Sequence, residues 1–316
     1  MNILFITANR IGDAVLTTGL LAHLIKTYPE ARFTIACGPV AADLFRAVPR
    51  LEKLILLQKQ KHHGHWIKLW KTCITTRWDM IVDLRNSLIT RLLFANQKYY
   101  TQGQNTGHHK VLDLASVLTL DPPPSPHLWL DEKAEQQAAK FIKEDDIVLA
   151  LGPAANWPTK QWPVEKFAEL AQKLIAQSGS LEGAKVMFLA APHEKDQLAP
   201  LYAALPAEKI IDPIGQDLLT VTACLKKARL FIGNDSGLSH MAATAGTPTL
   251  ALFGPGWEKI YGPWGDHTAV LRPKESTQEL LDKLSWVGAF SPNLMDGITV
   301  EAALIAAEKL LEKTDS

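Results

Sequence analysis

The chain has 316 residues, and at roughly 100–200 residues per domain two domains are expected. Lys plus Arg and Asp plus Glu balance at 33 each, which excludes a global basic bias towards nucleic acid. Cys37, Cys73 and Cys224 lie far apart with no C-x-x-C pair, against a disulfide framework or zinc site and consistent with a reducing cytosol. Met1 to Thr7 carries no basic leader, so no signal peptide is expected. No apolar stretch approaches the ~18 residues that span a bilayer, and any membrane contact is expected to be peripheral.

Asn2 to Thr7 reads as a buried first strand. Ala8 to Asp13 is a loop, and a helix is expected over about Ala14 to Thr27, where Leu16, Leu20, Leu21, Leu24 and Ile25 keep helical spacing until Tyr28-Pro29 stops it. A strand at Phe33 to Ala36, a helical stretch at Val40 to Val48, and strands at Leu54 to Leu57 and Asp79 to Leu84 follow. This βαβα alternation implies a parallel sheet covered by helices. Between the last two strands, Trp66, Leu69, Trp70, Cys73 and Ile74 share one helical face, while Lys59, Lys61, Lys68, Lys71 and Arg77 supply positive charge. A surface helix buried on its apolar side accounts for this pattern; an interfacial contact with an anionic membrane or acceptor is the sharper alternative. His62, His63 and His65 have no carboxylate or cysteine partner in local spacing and read as a solvated loop rather than a metal site.

Asp121-Pro122-Pro123-Pro124-Ser125-Pro126 is the clearest punctuation, followed by a polar helical stretch, Asp131 to Lys143. The boundary falls between Leu120 and Asp146, giving domains of 1–140 and 141–297. A second alternation begins with a strand at Asp146 to Leu151, a helix at Val164 to Ala176 and a strand at Lys185 to Ala190. It continues through Arg229 to Pro255, which reads strand, Gly-Asn-Asp-Ser-Gly loop, helix, strand. The last helix, Val300 to Leu311 within 298–316, is expected to fold back onto the first domain. No internal repeat is visible.

Loops that follow parallel strands are where such sheets bind ligands. In the first, Arg10-Ile11-Gly12-Asp13, Gly12 permits a tight turn. Asp13 is either an N-cap or a carboxylate able to take a proton from a substrate hydroxyl. In the second, Gly152 to Pro163, Lys160 is the one cation; it is either an exposed loop lysine or a group that neutralises a diphosphate. In the third, Gly233 to Gly237, small residues and free helix N–H groups suit a nucleotide or sugar phosphate. Asp235 there can instead close an Asx turn, Ser236 can be a helix cap, and His240 a structural group inside the helix. Glu194, after the strand ending at Ala190, meets a ribose hydroxyl or is solvated. There is no G-x-x-x-x-G-K-[ST], no G-x-G-x-x-G after a strand and no Asp-x-Asp pair, which argues against a P-loop kinase, a nicotinamide enzyme and a metal–diphosphate site of that type.

Taken in order, Arg10-Ile11-Gly12-Asp13 leading to Tyr28-Pro29, Lys160-Gln161-Trp162-Pro163, Gly233-Asn234-Asp235-Ser236-Gly237-Leu238-Ser239-His240-Met241-Ala242-Ala243 and Phe253-Gly254-Pro255 resemble the ADP-heptose:lipopolysaccharide heptosyltransferases, glycosyltransferase family 9. The resemblance covers almost the whole chain. It implies a GT-B α/β fold, two Rossmann-like domains with parallel sheets facing a cleft. It implies an inverting, metal-independent enzyme without cofactor that moves a heptose from ADP-heptose to an inner-core sugar. By motif position Asp13 matches the catalytic base and Lys160 the donor-phosphate lysine. Asp235, Ser236, Gly237 and His240 match the donor loop, and Glu194 the nucleoside contact. Gly12, Asn156, Gly254 and Pro255 are expected to line the donor site, and Arg10, Arg85, Arg91 and Lys110 to meet an anionic, lipid-linked acceptor. Met295-Asp296-Gly297-Ile298 matches a common family ending. Ser291-Pro292-Asn293, Ala190-Ala191-Pro192 and Lys59 to Trp78 depart from the family pattern.

The expected partners are therefore a nucleotide-sugar donor and a lipid-linked acceptor, with peripheral contact at the inner face of the inner membrane, no nucleic acid and a cytoplasmic monomer. Two other readings stay open: a related transferase or epimerase-like enzyme using another nucleotide sugar, and a non-catalytic nucleotide-sugar-binding protein. An aspartate with a solution pKa of about 3.9 is ionised at neutral pH but is a weak base. The mechanism must then draw on positioning and on stabilising the departing diphosphate.

Overall fold

The apolar runs Ile3–Ile6, Leu149–Leu151 and Leu230–Ile232 are fully buried, as interior strands of a helix-covered parallel sheet must be. The structure is a computed structural model that describes residues 1–61, 64–103, 106–155, 157–286 and 293–315. It divides into two units, Met1–Trp129 and Leu130–Ser316.

The first unit contains β1 (Asn2–Ile6), α1 (Ile11–Thr27), β2 (Arg32–Cys37), β3 (Leu51–Leu56), α2 (Gly64–Cys73), β4 (Trp78–Asp83), β5 (Ala95–Tyr100) and α3 (Lys110–Ser116). Its sheet runs β3-β2-β1-β4-β5, every neighbouring pair parallel. The apolar face expected of α2 is the one it uses. Leu69 and Cys73 are buried, and Trp66, Trp70 and Ile74 pack on the same cluster as Leu4, Ile6 and Ile81 of the sheet. The helix expected over Val40 to Val48 is instead a 3₁₀ turn, Pro39–Phe45. One tight turn suffices to bury Ala41, Leu44 and Phe45, and it follows Gly38, which lies so close to Asn9 that a Cβ there would meet its Cα at 2.5 Å.

The second unit contains α4 (Glu132–Phe141), β6 (Val148–Gly152), α5 (Val164–Ile175), β7 (Lys185–Phe188), α6 (Ala199–Ala204), β8 (Ile210–Ile211), α7 (Leu218–Lys226), β9 (Leu230–Asn234), α8 (Gly237–Thr244), β10 (Thr249–Leu252), α9 (Glu258–Tyr261), β11 (Thr268–Leu271), α10 (Thr277–Trp286) and α11 (Val300–Asp315). The parallel sheet runs β11-β10-β9-β6-β7-β8. The division at Trp129 lies inside the 120–146 window but assigns α4, capped by Asp131 on Ala134 N, to this unit, where it packs on α7. The expected return of the last helix to the first domain is corrected. α11 belongs to the second unit, and Ala303, Ala307, Leu310 and Leu311 sit in its core with Leu149, Leu230 and Leu250. The small alanines let this helix lie close against α5 and the sheet.

The two sheets share one winding. β1, β2, β3, β4 and β5 occupy the places that β6, β7, β8, β9 and β10 occupy in the second unit. This is a repeat of topology that leaves no trace as a sequence repeat. In each, the chain winds outward on one side of its first strand and then crosses to the other side. The strand order thus reverses between β1 and β4, and between β6 and β9. Ligands of open parallel sheets bind at the carboxyl ends of the strands beside such a reversal, which makes the loops after these four strands the candidate binding loops.

Candidate functional site

In the second unit the loops after β6 and β9 are joined at their tips. Lys160 Nζ donates to Asp235 Oδ2 at 2.5 Å, with the two side chains 25% and 14% exposed. Lys160 is therefore not a free loop lysine, and Asp235 is its partner. The Lys160 ammonium also lies 5.9 Å from the ring centroid of the exposed Trp157, within cation–π range. A carboxylate partner holds this cation in place beside the start of α8.

The base of the site is set by Asn234, the last residue of β9 and completely buried. Its Oδ1 accepts from Trp162 N at 3.0 Å and its Nδ2 donates to Pro153 O at 2.6 Å. One side chain thus fixes both ends of the loop that carries Lys160. Ser239 Oγ donates to Asn234 O at 2.8 Å, tying the first turn of α8 to the same point. Ser236 is the N-cap of α8, as expected, but its side chain makes no cap bond. Its Oγ is buried and has no hydrogen-bond partner among the described residues. A polar atom left so at a helix N-terminus is suited to an anionic ligand. Gly237 opens α8, and His240 is buried within it.

Backbone approach closes the rest. A Cβ on Gly256 would lie 2.8 Å from Asp235 Oδ2, and one on Gly254 would lie 2.5 Å from Met295 Sδ. A larger residue at either position would make the Asp235 carboxylate or the Met295 thioether shift. Gly254 and Pro255 are buried beside this contact. Glu194 is half-buried, and its Oε2 accepts from Ala191 N at 2.8 Å. It closes the turn after β7 and is not simply solvated. Asn156 lies outside the described residues.

In the first unit α1 begins at Ile11 rather than at Ala14, with Arg10 as its N-cap and no side-chain cap bond. Asp13 therefore sits in the first helical turn, half-buried, and is not the N-cap; Gly12 is helical rather than in a tight turn. A carboxylate there is stabilised by the first-turn N–H groups. Arg10 and Arg91 are exposed, while Arg91 donates to Asn86 Oδ1 at 3.1 Å and stacks 4.7 Å from the Tyr100 ring. Lys110 is the first residue of α3 and half-buried.

Arg85 links the two loops at the reversal. Its Nη1 donates to Asn9 Oδ1 at 2.7 Å, and its guanidinium carbon lies 5.0 Å from the Trp66 ring of α2. Burial lowers its pKa and the Asp83 carboxylate opposes that. Asp83 ends β4 and is fully buried. Its Oδ1 accepts from Arg85 N at 2.9 Å. Its Oδ2 accepts from Ser87 N at 2.9 Å, Ser87 Oγ at 2.5 Å and Thr90 Oγ1 at 2.8 Å. Four donors on one buried carboxylate satisfy it without a salt bridge and fix the loop that presents Arg85. Among the described residues no three His, Cys, Asp or Glu side chains gather into a metal-binding group.

A sequence model of glycosyltransferase family 9 (heptosyltransferase) matches residues 80–288, more than half of the chain. The chain belongs to glycosyltransferase family 9. It is 25% identical to lipooligosaccharide heptosyltransferase 2 of Haemophilus influenzae, covering 99% of this chain and 100% of that one. It is 28% identical to lipopolysaccharide heptosyltransferase 1 of Pseudomonas aeruginosa, covering 89% and 91%. Its fold matches the solved family 9 glycosyltransferase of Veillonella parvula, with a TM-score of 0.82 at 24% identity over 99% and 97% of the two chains. It also matches the ADP-heptose heptosyltransferase II of Escherichia coli, with a TM-score of 0.77 at 20% identity over both whole chains. The fold is the GT-B fold that the resemblance implied, and the chain is a glycosyltransferase.

Within this family 9 enzyme the Met295–Ile298 ending has a physical role. Met295 and Ile298 are buried in the second unit's core, Trp162 Nε1 donates to Ile298 O at 2.9 Å, and Lys166 Nζ donates to Asp296 O at 3.0 Å. The ending holds the Lys160 loop from behind. Asn234, Asn9 and Asp83 were not singled out from the sequence. The available signal for Asp83 was a strand-ending Asp followed by Ser at the fourth and Thr at the seventh position, an Asx-turn pattern.

Proposed function

We propose that this glycosyltransferase moves a heptose from ADP-heptose to an inner-core sugar of lipopolysaccharide, with inversion and without a metal. The Lys160–Asp235 pair beside the Ser236 hydroxyl and the N-terminus of α8 carries the reading: cation, hydroxyl and helix N–H groups at a strand-order reversal suit a diphosphate. In the proposed step Asp13 takes the acceptor hydroxyl proton as that oxygen attacks the anomeric carbon. The bond from that carbon to the diphosphate oxygen breaks, and ADP leaves with the electron pair. Lys160 and α8 stabilise the charge that develops on it. Arg85, held by Asn9, Asp83 and Trp66, and the exposed Arg10 and Arg91 are the proposed contacts of an anionic, lipid-linked acceptor.

The names of the relatives, lipopolysaccharide and lipooligosaccharide heptosyltransferases, support heptose as the transferred sugar and a lipopolysaccharide-type acceptor. The test offers the purified enzyme a panel of nucleotide sugars with heptose-free core acceptors, in the presence and absence of EDTA. Product mass and anomeric configuration are read out. Transfer from ADP-heptose with inversion and no loss in EDTA is expected. Preferential use of another nucleotide sugar, retention, or abolition by EDTA would each overturn the corresponding part. Donor binding with no transfer to any acceptor would favour a binding protein instead.

A further inference from the structure

The neutrality of the whole chain hides a sharp segregation of charge. Residues 53–112 hold seven lysines and three arginines against two carboxylates, Asp79 and Asp83, a net of +8. Both carboxylates are engaged by neutral donors. Asp83 is saturated by its own loop, and Asp79 accepts from Asn2 N at 2.7 Å and Asn96 Nδ2 at 3.3 Å. Lys59, Lys61, Lys68, Lys71, Arg77 and Arg91 are all exposed.

The same segment exposes large apolar groups. Leu88 is 76%, Leu92 62% and Phe94 73% exposed, within one short stretch. Ile67 of α2 is 49% exposed. These side chains are not loosely placed. The 3₁₀ turn Leu88–Leu92 packs on α2, and Ile89, Leu93, Leu69 and Cys73 are drawn into the cluster on the sheet. Thr90 is pinned to Asp83. Fixing the inward residues leaves Leu88, Leu92, Phe94 and Ile67 exposed in the same lysine-rich segment.

We propose that this surface, α2 with the turn Leu88–Leu92 and Phe94, docks the enzyme on an anionic lipid bilayer. Apolar side chains that enter the acyl boundary and lysines that meet anionic headgroups are two separate attractions, the combination that stable peripheral binding requires. A second copy of the chain would oppose this positive surface with its own. A nucleic acid would use the cations but gain nothing from exposed leucines. The inference rests on charge and exposure alone and does not depend on which sugar is transferred.

The test is co-sedimentation of the full chain with vesicles of phosphatidylcholine alone and of phosphatidylcholine with about one-third phosphatidylglycerol. Binding to the anionic vesicles only, weakening as salt rises, is expected. Combined Leu88→Ser, Leu92→Ser and Phe94→Ser substitutions should weaken it at least about tenfold, with the thermal melt and ADP affinity unchanged because these side chains lie in water. Combined Lys68→Glu and Lys71→Glu substitutions should weaken it by a similar factor, at about fivefold or more per lysine. No difference between the two vesicle types, or full binding by both variants, would overturn the proposal. So would a dimer in size exclusion that the serine variant dissociates, since the patch would then be a contact between copies.

Discussion

Lys160 Nζ sits 2.5 Å from Asp235 Oδ2, so the cation of the loop after β6 and the carboxylate that directly follows β9 form one unit. A diphosphate bound there would meet a paired cation held in place rather than a flexible lone lysine. Replacing Lys160 with alanine removes the donor and leaves Asp235 to repel the ligand. ADP affinity should fall about 10- to 100-fold, the range for hydrogen bonds to charged groups. Isothermal calorimetry showing an unchanged Kd would remove Lys160 from the donor site.

Asp13 lies in the first turn of α1 in the first unit, whereas the donor groups proposed above belong to the second. An Asp13→Asn enzyme should therefore bind ADP normally and turn over at least ~100-fold more slowly, the low end of general-base effects. Single-turnover kinetics at saturating donor checks this, and near-normal turnover would end the base assignment.

Asp83 receives four donors. An asparagine there must turn its NH₂ group towards some of them. With the β4 loop misplaced, Arg85 loses its position and the acceptor KM should rise about tenfold, as for one charged hydrogen bond. The ADP affinity, set in the other unit, should not move. A loss of ADP binding equal to the loss of acceptor binding would show general unfolding instead of a positioning role.

Asn234→Ala strands Trp162 N and Pro153 O in a buried place. Two unsatisfied groups cost about 2–5 kcal/mol together, so the thermal midpoint of the second unit should fall by about 5–15 °C. A calorimetric scan in which the melt is unmoved would mean that the Lys160 loop is held by other means.

The three thiols are buried, and burial pushes Cys37 up to about 12, Cys73 to about 11 and Cys224 to about 12. Their thiolate fraction at mildly alkaline pH is therefore far below that of a free cysteine. A disulfide reagent should titrate no thiol in the native protein and all three after denaturation. Rapid reaction of any one in the native state would contradict its burial.

What could be read in advance follows from where each signal lies. The interior strands β1, β6 and β9 are buried runs that only a covered parallel sheet explains, and they were legible. β5, β8 and β11 were not: they stand at or near sheet edges, and Asn96, Gln97 and Lys98 of β5 break any apolar pattern. Lys160 and Asp235 were each visible as candidates, but their pairing depends on β6 and β9 being neighbours, a tertiary fact. Asn234 looked like one more turn residue in a Gly-Asn-Asp-Ser-Gly run. Leu88, Leu92 and Phe94 are apolar, and their letters alone would place them in a core.

Asp83 ends β4 and Asn234 ends β9, strands that hold the same place in the two sheets. Each is fully buried and grips the loop that follows its own or a neighbouring strand from beneath. This separates the mounting of a loop from its outward lettering. Foreign segments grafted between Leu84 and Leu92 should therefore keep the loop's shape as long as Asp83, Ser87 and Thr90 are retained. A graft that also replaces those three loses its bracket.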